Sequence, residues 1–250
     1  MTVIALYSIK GGVGKTAASV NLAYLAASEG AQTLLCDLDP QGSASFYLRI
    51  RARKKFSSKK LLKGGITLNR NIRETDYPNL DLLPSDMSYR NLDLVLDNLK
   101  KPQNRLKKVL KPLATDYRYV FLDCPPNITL ASENIFRAAD IILVPVIPTT
   151  LSLLTYRKLE DFFKDEQLKR SKIFGFFSMV EKRKKMHREI MAEISENHKH
   201  FFNTLIPYTA EVEKMGIYRE PVAARQPKSG ASLAYRNLWE EIRKLTGSKI

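Results

Sequence analysis

The chain has 250 residues, of which 44% are hydrophobic, and its 41 Lys and Arg residues outnumber its 26 Asp and Glu residues to give a net charge of +15. This balance predicts a globular protein and excludes a disordered chain, because enough apolar side chains are present to fill a core. No apolar run is long enough for a transmembrane helix, and two separated cysteines, Cys36 and Cys124, give little support for a disulfide framework, a zinc site or an iron–sulfur scaffold.

Short apolar segments alternate along the chain with segments of helical periodicity. The predicted strands are residues 2–8, 33–36, 80–83, 119–122, 141–146, 173–180 and 204–206. The predicted helices are residues 15–29, 89–99, 103–114, 152–163, 184–197 and 229–245. Because the strands are continuous apolar runs, the pattern predicts an α/β fold with a doubly wound, mostly parallel sheet and helices on both faces. We expect residues 1–250 to form a single domain.

The segment SIKGGVGKT, residues 8–16, follows a predicted strand and begins a predicted helix, which is the context of a phosphate-binding loop. Its glycines let backbone N–H groups converge on phosphate oxygens, and the helix N-terminus adds positive potential. Lys15 is placed to neutralise the β- and γ-phosphates, and the Thr16 hydroxyl to bind Mg²⁺. The predicted nucleotide-binding residues are Gly11, Gly12, Val13, Gly14, Lys15, Thr16 and Ala17.

The loop reads Lys-Gly-Gly-x-Gly-Lys-Thr from Lys10, with Ile9 where the ordinary loop has its first glycine. Two further segments, DLDPQGS at residues 37–43 and DCPP at residues 123–126, follow it along the chain. These three motifs resemble those of the ParA/MinD family of deviant Walker A ATPases. The segment DLDPQGS, residues 37–43, is similar to the Walker A′ segment in its ParA form. The segment DCPP, residues 123–126, is similar to Walker B and switch II. Because the C-terminal third also resembles the family, the likeness covers nearly the whole chain and implies a phosphate-loop fold.

The resemblance implies a mechanism in which two ATP-bound monomers face each other with the nucleotides between them. In that arrangement Lys10 contacts the partner's phosphates and offsets charge on the transferring phosphoryl group, much as an arginine finger does. Asp39 corresponds to the residue that positions or activates the attacking water. Asp123 corresponds to the Walker B aspartate, which acts on Mg²⁺ mainly through a bound water, and Asp37 is a neighbour of that site. The implied catalytic residues are Lys10, Lys15 and Asp39.

The residues that would bind the base of the nucleotide are harder to identify from the sequence. By resemblance, adenine lies between a segment that follows a late strand and a later loop that contains proline. Met179 and Pro207 occupy these positions and are candidates to sandwich a flat ring, although each fits ordinary core packing equally well. The cofactors that the resemblance implies are therefore ATP and Mg²⁺, with Met179 and Pro207 as candidate base contacts.

The high positive charge predicts a polyanionic partner, which is either nucleic acid or an anionic membrane surface. In the family, ParA-type members bind DNA without sequence preference, and MinD-type members bind membranes through a basic amphipathic C-terminal tail. Residues 232–245 are amphipathic and include Trp239, but Glu240 and Glu241 oppose an anionic membrane. The sequence therefore favours packing of this helix on the domain over a membrane anchor.

Basic residues cluster at residues 49–63, at residues 182–188 and in the last third of the chain. Such clusters without a base-reading motif fit contacts with phosphate backbones, which carry no sequence information. No helix-turn-helix segment precedes the first strand, so we expect nonspecific binding of double-stranded DNA. By analogy with relatives, the last-third cluster ranks first, and its candidate DNA contacts are Arg219, Arg225 and Arg236.

Together these observations predict a ParA-like ATPase that dimerises on ATP, binds DNA nonspecifically, and hydrolyses ATP to partition or position a chromosome, plasmid or other cargo. We expect it to act in the cytoplasm on the nucleoid, with a ParB-like or cargo-adaptor activator. Two alternatives stay open, a MinD-like membrane switch and a metabolic phosphate-loop enzyme. The Asp39-Pro40-Gln41 segment favours the ParA form over the latter.

Overall fold

A single sheet of eight strands organises the chain in this computed structural model, which describes residues 1–198 and 200–247. The strands are β1 Thr2–Leu6, β2 Thr33–Asp37, β3 Arg73–Glu74, β4 Leu80–Leu83, β5 Tyr119–Asp123, β6 Ile141–Val146, β7 Ile173–Val180 and β8 Phe201–Pro207. Their order across the sheet is β3-β4-β2-β5-β1-β6-β7-β8. All neighbours are parallel except β3 and β4, which confirms the predicted sheet.

Thirteen α-helices occur in the described part of the chain. They are α1 Lys15–Ser28, α2 Ser43–Tyr47, α3 Ser58–Lys63, α4 Ile66–Asn69, α5 Leu92–Asp97, α6 Arg105–Leu110, α7 Leu130–Ala138, α8 Thr150–Asp165, α9 Lys185–Asn197, α10 Ala210–Glu213, α11 Met215–Tyr218, α12 Val222–Arg225 and α13 Gly230–Gly247. Short 3-10 helices lie at Met87–Asn91, Pro102–Asn104, Lys111–Thr115 and Arg170–Lys172. None of these helices is long and apolar enough to cross a membrane.

The helices form two layers, one on each face of the sheet. Buried residues of α3, α5, α6, α7, α8 and α9 form one hydrophobic cluster with one set of strand side chains. Buried residues of α1, α2, α11, α12 and α13 form a second cluster with the other set. Because side chains alternate across a strand, the two clusters lie on opposite faces of the sheet. The predicted doubly wound fold is therefore confirmed.

The last helix packs on the domain, as the sequence favoured. Trp239 of α13 is 1% exposed, and its ring meets Tyr119 edge-on at 5.1 Å between centroids. Glu241 accepts hydrogen bonds from the backbone of Asn203 and Thr204 on β8, so this carboxylate holds the helix against the sheet edge. Burial of the aromatic anchor removes it from any surface that a membrane contacts.

Several predicted helix bounds differ from the structure for local reasons. The segment 89–99 divides because the Asp86 side chain accepts a hydrogen bond from the Ser88 amide and caps a 3-10 turn before α5. Helix α6 ends at Leu110 since Pro112 disfavours a continuing α-helix. Helix α7 was missed because buried Ser132 and Asn134 interrupt its apolar spacing. Strand β3 has only two residues, too few for a periodic signal.

Candidate functional site

The loop between β1 and α1 lies at the carboxyl edge of the parallel sheet. Gly14 has φ +90°, in the left-handed region, and ends the loop directly before α1. A Cβ atom at Gly14 would lie 2.9 Å from Ser178 Oγ, so the end of β7 closely borders this loop. Both the positive φ and the close approach require glycine there. The loop thereby presents its backbone beside the N-terminus of α1, where anions are favoured.

Lys15 is the first residue of α1, and its side chain is 7% exposed. Its Nζ donates a hydrogen bond to the Lys10 carbonyl at 3.3 Å, which folds the side chain back over the loop. Burial lowers the pKa of Lys15, and the carboxylates of Asp123 and Asp39 oppose that shift. A buried cation over a glycine-rich loop is the arrangement that neutralises bound phosphate.

Two buried aspartates end adjacent strands in the same register. Asp37 of β2 pairs with Asp123 of β5, and both are 0% exposed. Asp37 Oδ2 accepts hydrogen bonds from the Ser45 amide at 2.7 Å and hydroxyl at 2.6 Å. Asp123 Oδ1 accepts one from Ser19 Oγ at 2.9 Å. Each aspartate therefore has one oxygen held in place by a serine.

The other oxygen of each aspartate, Asp37 Oδ1 and Asp123 Oδ2, is buried without a hydrogen-bond partner. Burial raises the pKa of Asp37 to about 6. Burial, together with repulsion from Asp37, raises the pKa of Asp123 to about 7, and the Thr16 hydroxyl beside Asp123 opposes that shift. Unpartnered buried oxygens of this kind are costly unless a cation or its water ligands approach them.

These donors fit a hydrated Mg²⁺. The described residues contain no group of three His, Cys, Asp or Glu side chains that surrounds a metal ion. Mg²⁺ commonly binds one or two protein oxygens and completes its shell with waters and phosphate oxygens. Thr16 Oγ1 and Asp123 Oδ2 are the groups that suit this role, with Asp37 behind them.

A cavity of about 370 Å³ opens from the loop along the carboxyl edge of the sheet. It is lined by Gly11, Gly12, Gly14, Lys15, Thr16, Ala17, Asp39, Gln41, Ser43, Tyr47, Pro126, Ser178, Met179, Ile206, Pro207, Tyr208, Thr209, Val212, Glu213 and Tyr235. The structure therefore brings Met179 and Pro207, at the ends of β7 and β8, into the same cavity as the phosphate loop. Asp39 lines it as well, with Oδ1 accepting a hydrogen bond from the Gln41 amide at 2.9 Å.

Two predicted nucleotide-binding residues lie outside this cavity. The Lys10 side chain turns away from it, and its Nζ donates to Ser152 Oγ at 3.3 Å near the N-terminus of α8. The Val13 side chain is buried, 1% exposed, and shares a small cavity with Lys10. Lys10 thus does not reach the phosphate site of its own chain, so its contact with a partner's phosphates stays a prediction.

The three arginines that were ranked as DNA contacts already have partners within the chain. Arg219 Nε donates to the Phe46 carbonyl at 2.9 Å, and its guanidinium lies 4.5 Å from the Phe46 ring centroid. Arg225 forms an ion pair with Glu220 at 3.6 Å and lies over the Tyr218 ring. Arg236 donates to a backbone carbonyl at 3.4 Å. Their role in DNA binding stays a prediction.

Sequence reasoning missed Ser19, which orients Asp123. The signal was present, because Ser19 lies three residues after Thr16 and therefore on the same face of α1. It also missed the aromatic side of the cavity, formed by Tyr47, Tyr208 and Tyr235. Only the fold shows this side, since the three tyrosines come from α2, from the segment after β8 and from α13.

The chain is similar in sequence to a known domain family and to a known partition protein. Residues 1–173 match the family model AAA_31, described as an AAA domain. The chain is 27% identical over 253 residues to the chromosome partitioning protein ParA of Caulobacter vibrioides, a match covering 97% of this chain and 94% of that protein.

Two solved structures are similar over almost their whole length. A plasmid partition protein of Borrelia burgdorferi has a TM-score of 0.78 and 25% identity, covering 97% of this chain and 98% of the other. Cobyrinic acid a,c-diamide synthase of Mycobacterium smegmatis, with bound ADP and magnesium, has a TM-score of 0.82 and 24% identity, covering 99% and 97%. The second likeness shows the fold alone. Since the family model spans more than half of the chain, the protein belongs to the AAA_31 family of AAA domains and is a ParA/MinD-like phosphate-loop ATPase.

Proposed function

We propose that this protein binds ATP with Mg²⁺ and hydrolyses it to drive partition or positioning of a chromosome, plasmid or other cargo. The observation that carries the proposal is the buried charge arrangement, in which Lys15 lies over the loop and two aspartates end adjacent strands. A buried cation is suited to bind phosphate, and the unpartnered carboxylate oxygens are suited to bind a hydrated cation. The partition proteins among the relatives support the biological role.

Each residue of the site has a distinct task in hydrolysis. The loop amides from Gly11 to Ala17 would hold the phosphates, and Lys15 would neutralise them. Thr16 and Asp123 would hold a hydrated Mg²⁺, whose charge would stabilise the leaving phosphate oxygens. Asp39 lines the same cavity and has one oxygen fixed by the Gln41 amide, which leaves the other to orient the attacking water. Met179 and Pro207 border the adenine.

The ATP-bound form is a homodimer in this proposal, because Lys10 cannot serve its own phosphates from its position against Ser152. Released from Ser152, Lys10 reaches the nucleotide of the facing monomer. The dimer binds double-stranded DNA without sequence preference and so resides on the nucleoid, since the +15 charge attracts phosphate backbones. A ParB-like or cargo-adaptor partner stimulates hydrolysis and releases the DNA.

The membrane alternative is weakened by α13, since Trp239 is buried and Glu241 is committed to β8. The metabolic alternative draws support only from likeness of fold. One experiment separates all three functions: cosedimentation of the protein with random-sequence duplex and with phosphatidylglycerol vesicles, each with and without Mg-ATP.

We expect duplex binding that requires ATP and no binding to vesicles. Binding to vesicles with no retention of duplex would establish the membrane switch instead. Binding to neither, with ATP still bound in a direct titration, would favour a metabolic enzyme. A variant with Lys15→Ala serves as the control without nucleotide.

A further inference from the structure

Two segments far apart in the sequence are strongly basic and contain no acidic residue. Residues 51–72 include eight Lys or Arg residues and no Asp or Glu, and residues 98–115 include six and none. Stretches of this length without Asp or Glu stand out because the whole chain has 26 acidic residues. Each segment contains a short helix, α3 in the first and α6 in the second, that buries leucines and exposes lysines.

The fold brings these segments together on one layer of the sheet. Arg105, the first residue of α6, donates hydrogen bonds to the Leu62 carbonyl at 2.6 Å and the Lys63 carbonyl at 3.2 Å, at the end of α3. Gly64, with φ +72°, follows α3, and a Cβ there would lie 3.4 Å from Val109 of α6. We call the exposed lysines of this joined pair, Lys59, Lys63, Lys107 and Lys108, the α3–α6 face.

Charge on this face is not neutralised. Within residues 1–198 and 200–247, no ion pair involves any residue of either segment. The last-third cluster differs, because Glu220 lies within ion-pair distance of both Arg49 and Arg225, and Arg243 pairs with Glu29. Unneutralised like charges repel one another and oppose folding, so their concentration on one face indicates a partner that supplies the missing negative charge.

We propose that the α3–α6 face is the principal surface that contacts the phosphates of duplex DNA; this rests on the proposed DNA-binding function. Duplex DNA presents a phosphate charge about every 1.7 Å of its axis, which matches many separate lysines better than a single acidic side chain does. The face lies on the opposite layer from Arg225 and Arg236, and its lysines have no competing ion pairs among the described residues. It is therefore a different surface from the last-third cluster.

A groove at the border of the α3–α6 face is a site where a partner other than DNA could bind. Lys59, Lys63 and Arg105 border it together with Leu94, whose side chain is 66% exposed. An acidic amphipathic helix of a protein partner has the matching chemistry. DNA is favoured because the unpaired charge extends well beyond this groove, along the exposed side of α6.

The test measures binding of a fluorescein-labelled random-sequence duplex by anisotropy, with Mg-ATP, over a series of salt concentrations. Three double variants carry the same change in net charge: Lys59→Glu with Lys63→Glu, Lys107→Glu with Lys108→Glu, and the control Lys158→Glu with Lys164→Glu on the exposed side of α8. A fourth variant, Leu94→Ser, removes the apolar side chain of the groove without adding charge, and a fifth, Arg219→Glu with Arg225→Glu, reverses two arginines of the last-third cluster. ATP affinity and the far-UV circular dichroism spectrum confirm that each variant is folded and binds nucleotide.

We expect each α3–α6 double variant to bind the duplex about tenfold more weakly. The slope of log K against log salt should become shallower by about 0.9 for each phosphate that the variant no longer neutralises. The control and Leu94→Ser should bind as the wild type does. If both α3–α6 variants keep wild-type affinity while Arg219→Glu with Arg225→Glu abolishes binding, the inference is wrong and the proposed function stands.

Absence of duplex binding by the wild type would overturn the proposed function and this inference together. If Leu94→Ser reduces duplex binding as strongly as the charge reversals do, apolar contact in the groove governs binding and the phosphate surface is refuted. Wild-type binding to phosphatidylglycerol vesicles that the same charge reversals abolish, without duplex binding, would identify the face as a membrane surface.

Discussion

At the carboxyl edge of the sheet the charged groups are few and buried, whereas on the α3–α6 face they are many and exposed. Asp37 and Asp123 are 0% exposed and Lys15 is 7% exposed. Lys59 and Lys107 lie in solvent and form no ion pair with any described residue. Buried charges interact strongly with one defined neighbour because water does not screen them. Each exposed charge interacts only weakly with a partner, so many of them are needed for a strong interaction.

This difference predicts a graded response to substitution. Single changes at the carboxyl edge should have large effects on nucleotide chemistry, and single changes on the α3–α6 face should have small effects that combine.

The largest effect is expected for Asp39→Ala. Loss of the group that orients water should slow hydrolysis about 10²–10⁴-fold while ATP binding persists, because this side chain does not hold the phosphates. Single-turnover hydrolysis and a nucleotide titration measure the two quantities. The control is Asp161→Ala, which changes an exposed aspartate on α8. Wild-type turnover in Asp39→Ala would show that Asp39 does not take part in hydrolysis.

The next effect concerns Lys15→Ala. Removing the buried cation beside phosphate should weaken ATP binding by about 3 kcal/mol or more, over 100-fold, and abolish ATP-dependent duplex binding with it. Isothermal titration with a nonhydrolysable ATP analogue measures the affinity. Lys164→Ala should bind normally, and unchanged affinity in Lys15→Ala would contradict the phosphate-loop assignment.

A third effect is a pH dependence of stability. Burial raises the pKa of Asp123 to about 7 and that of Asp37 to about 6, above the usual 3.8, so the folded chain binds more protons than the unfolded chain between these limits. The free energy of unfolding of the nucleotide-free protein should therefore fall as pH rises from about 4 to about 7, by about 4 kcal/mol for Asp123 alone, since one pKa unit corresponds to about 1.4 kcal/mol. Urea unfolding at a series of pH values measures the change.

The matched variant for that experiment is Asp123→Asn, which keeps the shape of the side chain and removes its ionisation. Its stability should decline less over the same pH range. A wild-type stability that rises over this range, or an identical decline in the variant, would show that Asp123 is not the group that titrates.

The smallest effect is expected for Lys59→Glu alone. One reversed charge on an exposed face should weaken duplex binding only about threefold, since each phosphate contact is a small part of the total. Lys158→Glu should change nothing. If Lys59→Glu and Lys107→Glu combined give roughly the product of their separate effects, the face acts through independent contacts. A single substitution on this face that abolishes duplex binding would contradict the view that the exposed lysines act through many weak contacts.

The sequence predicted most of the sheet and the phosphate loop because both depend on local patterns. The strands at 80–83, 141–146 and 173–180 occur with the predicted bounds, since buried parallel strands are continuous apolar runs. Gly14, Lys15 and Thr16 are consecutive residues where the loop meets α1, so their proximity also follows from the local pattern.

Features that depend on tertiary contacts were beyond the sequence. Ranking of the basic clusters required knowledge of ion pairs such as that between Arg225 and Glu220. The junction between α3 and α6 depends on Arg105 reaching carbonyl groups more than 40 residues away. The position of Lys10 against Ser152 joins residues 142 apart in the chain, which no periodicity encodes.

The close approach of Ser178 to Gly14 limits which side chains and movements the site tolerates. A Cβ atom at Gly14 would lie only 2.9 Å from Ser178 Oγ, so a shift of β7 toward the loop would crowd the loop backbone. Met179, directly after Ser178, lines the same cavity, and its Cε would lie 4.0 Å from that Cβ position. Substitutions that reshape the cavity at Met179 are therefore expected to alter the loop as well, so a relative with a different side chain there should carry a compensating substitution near Gly14.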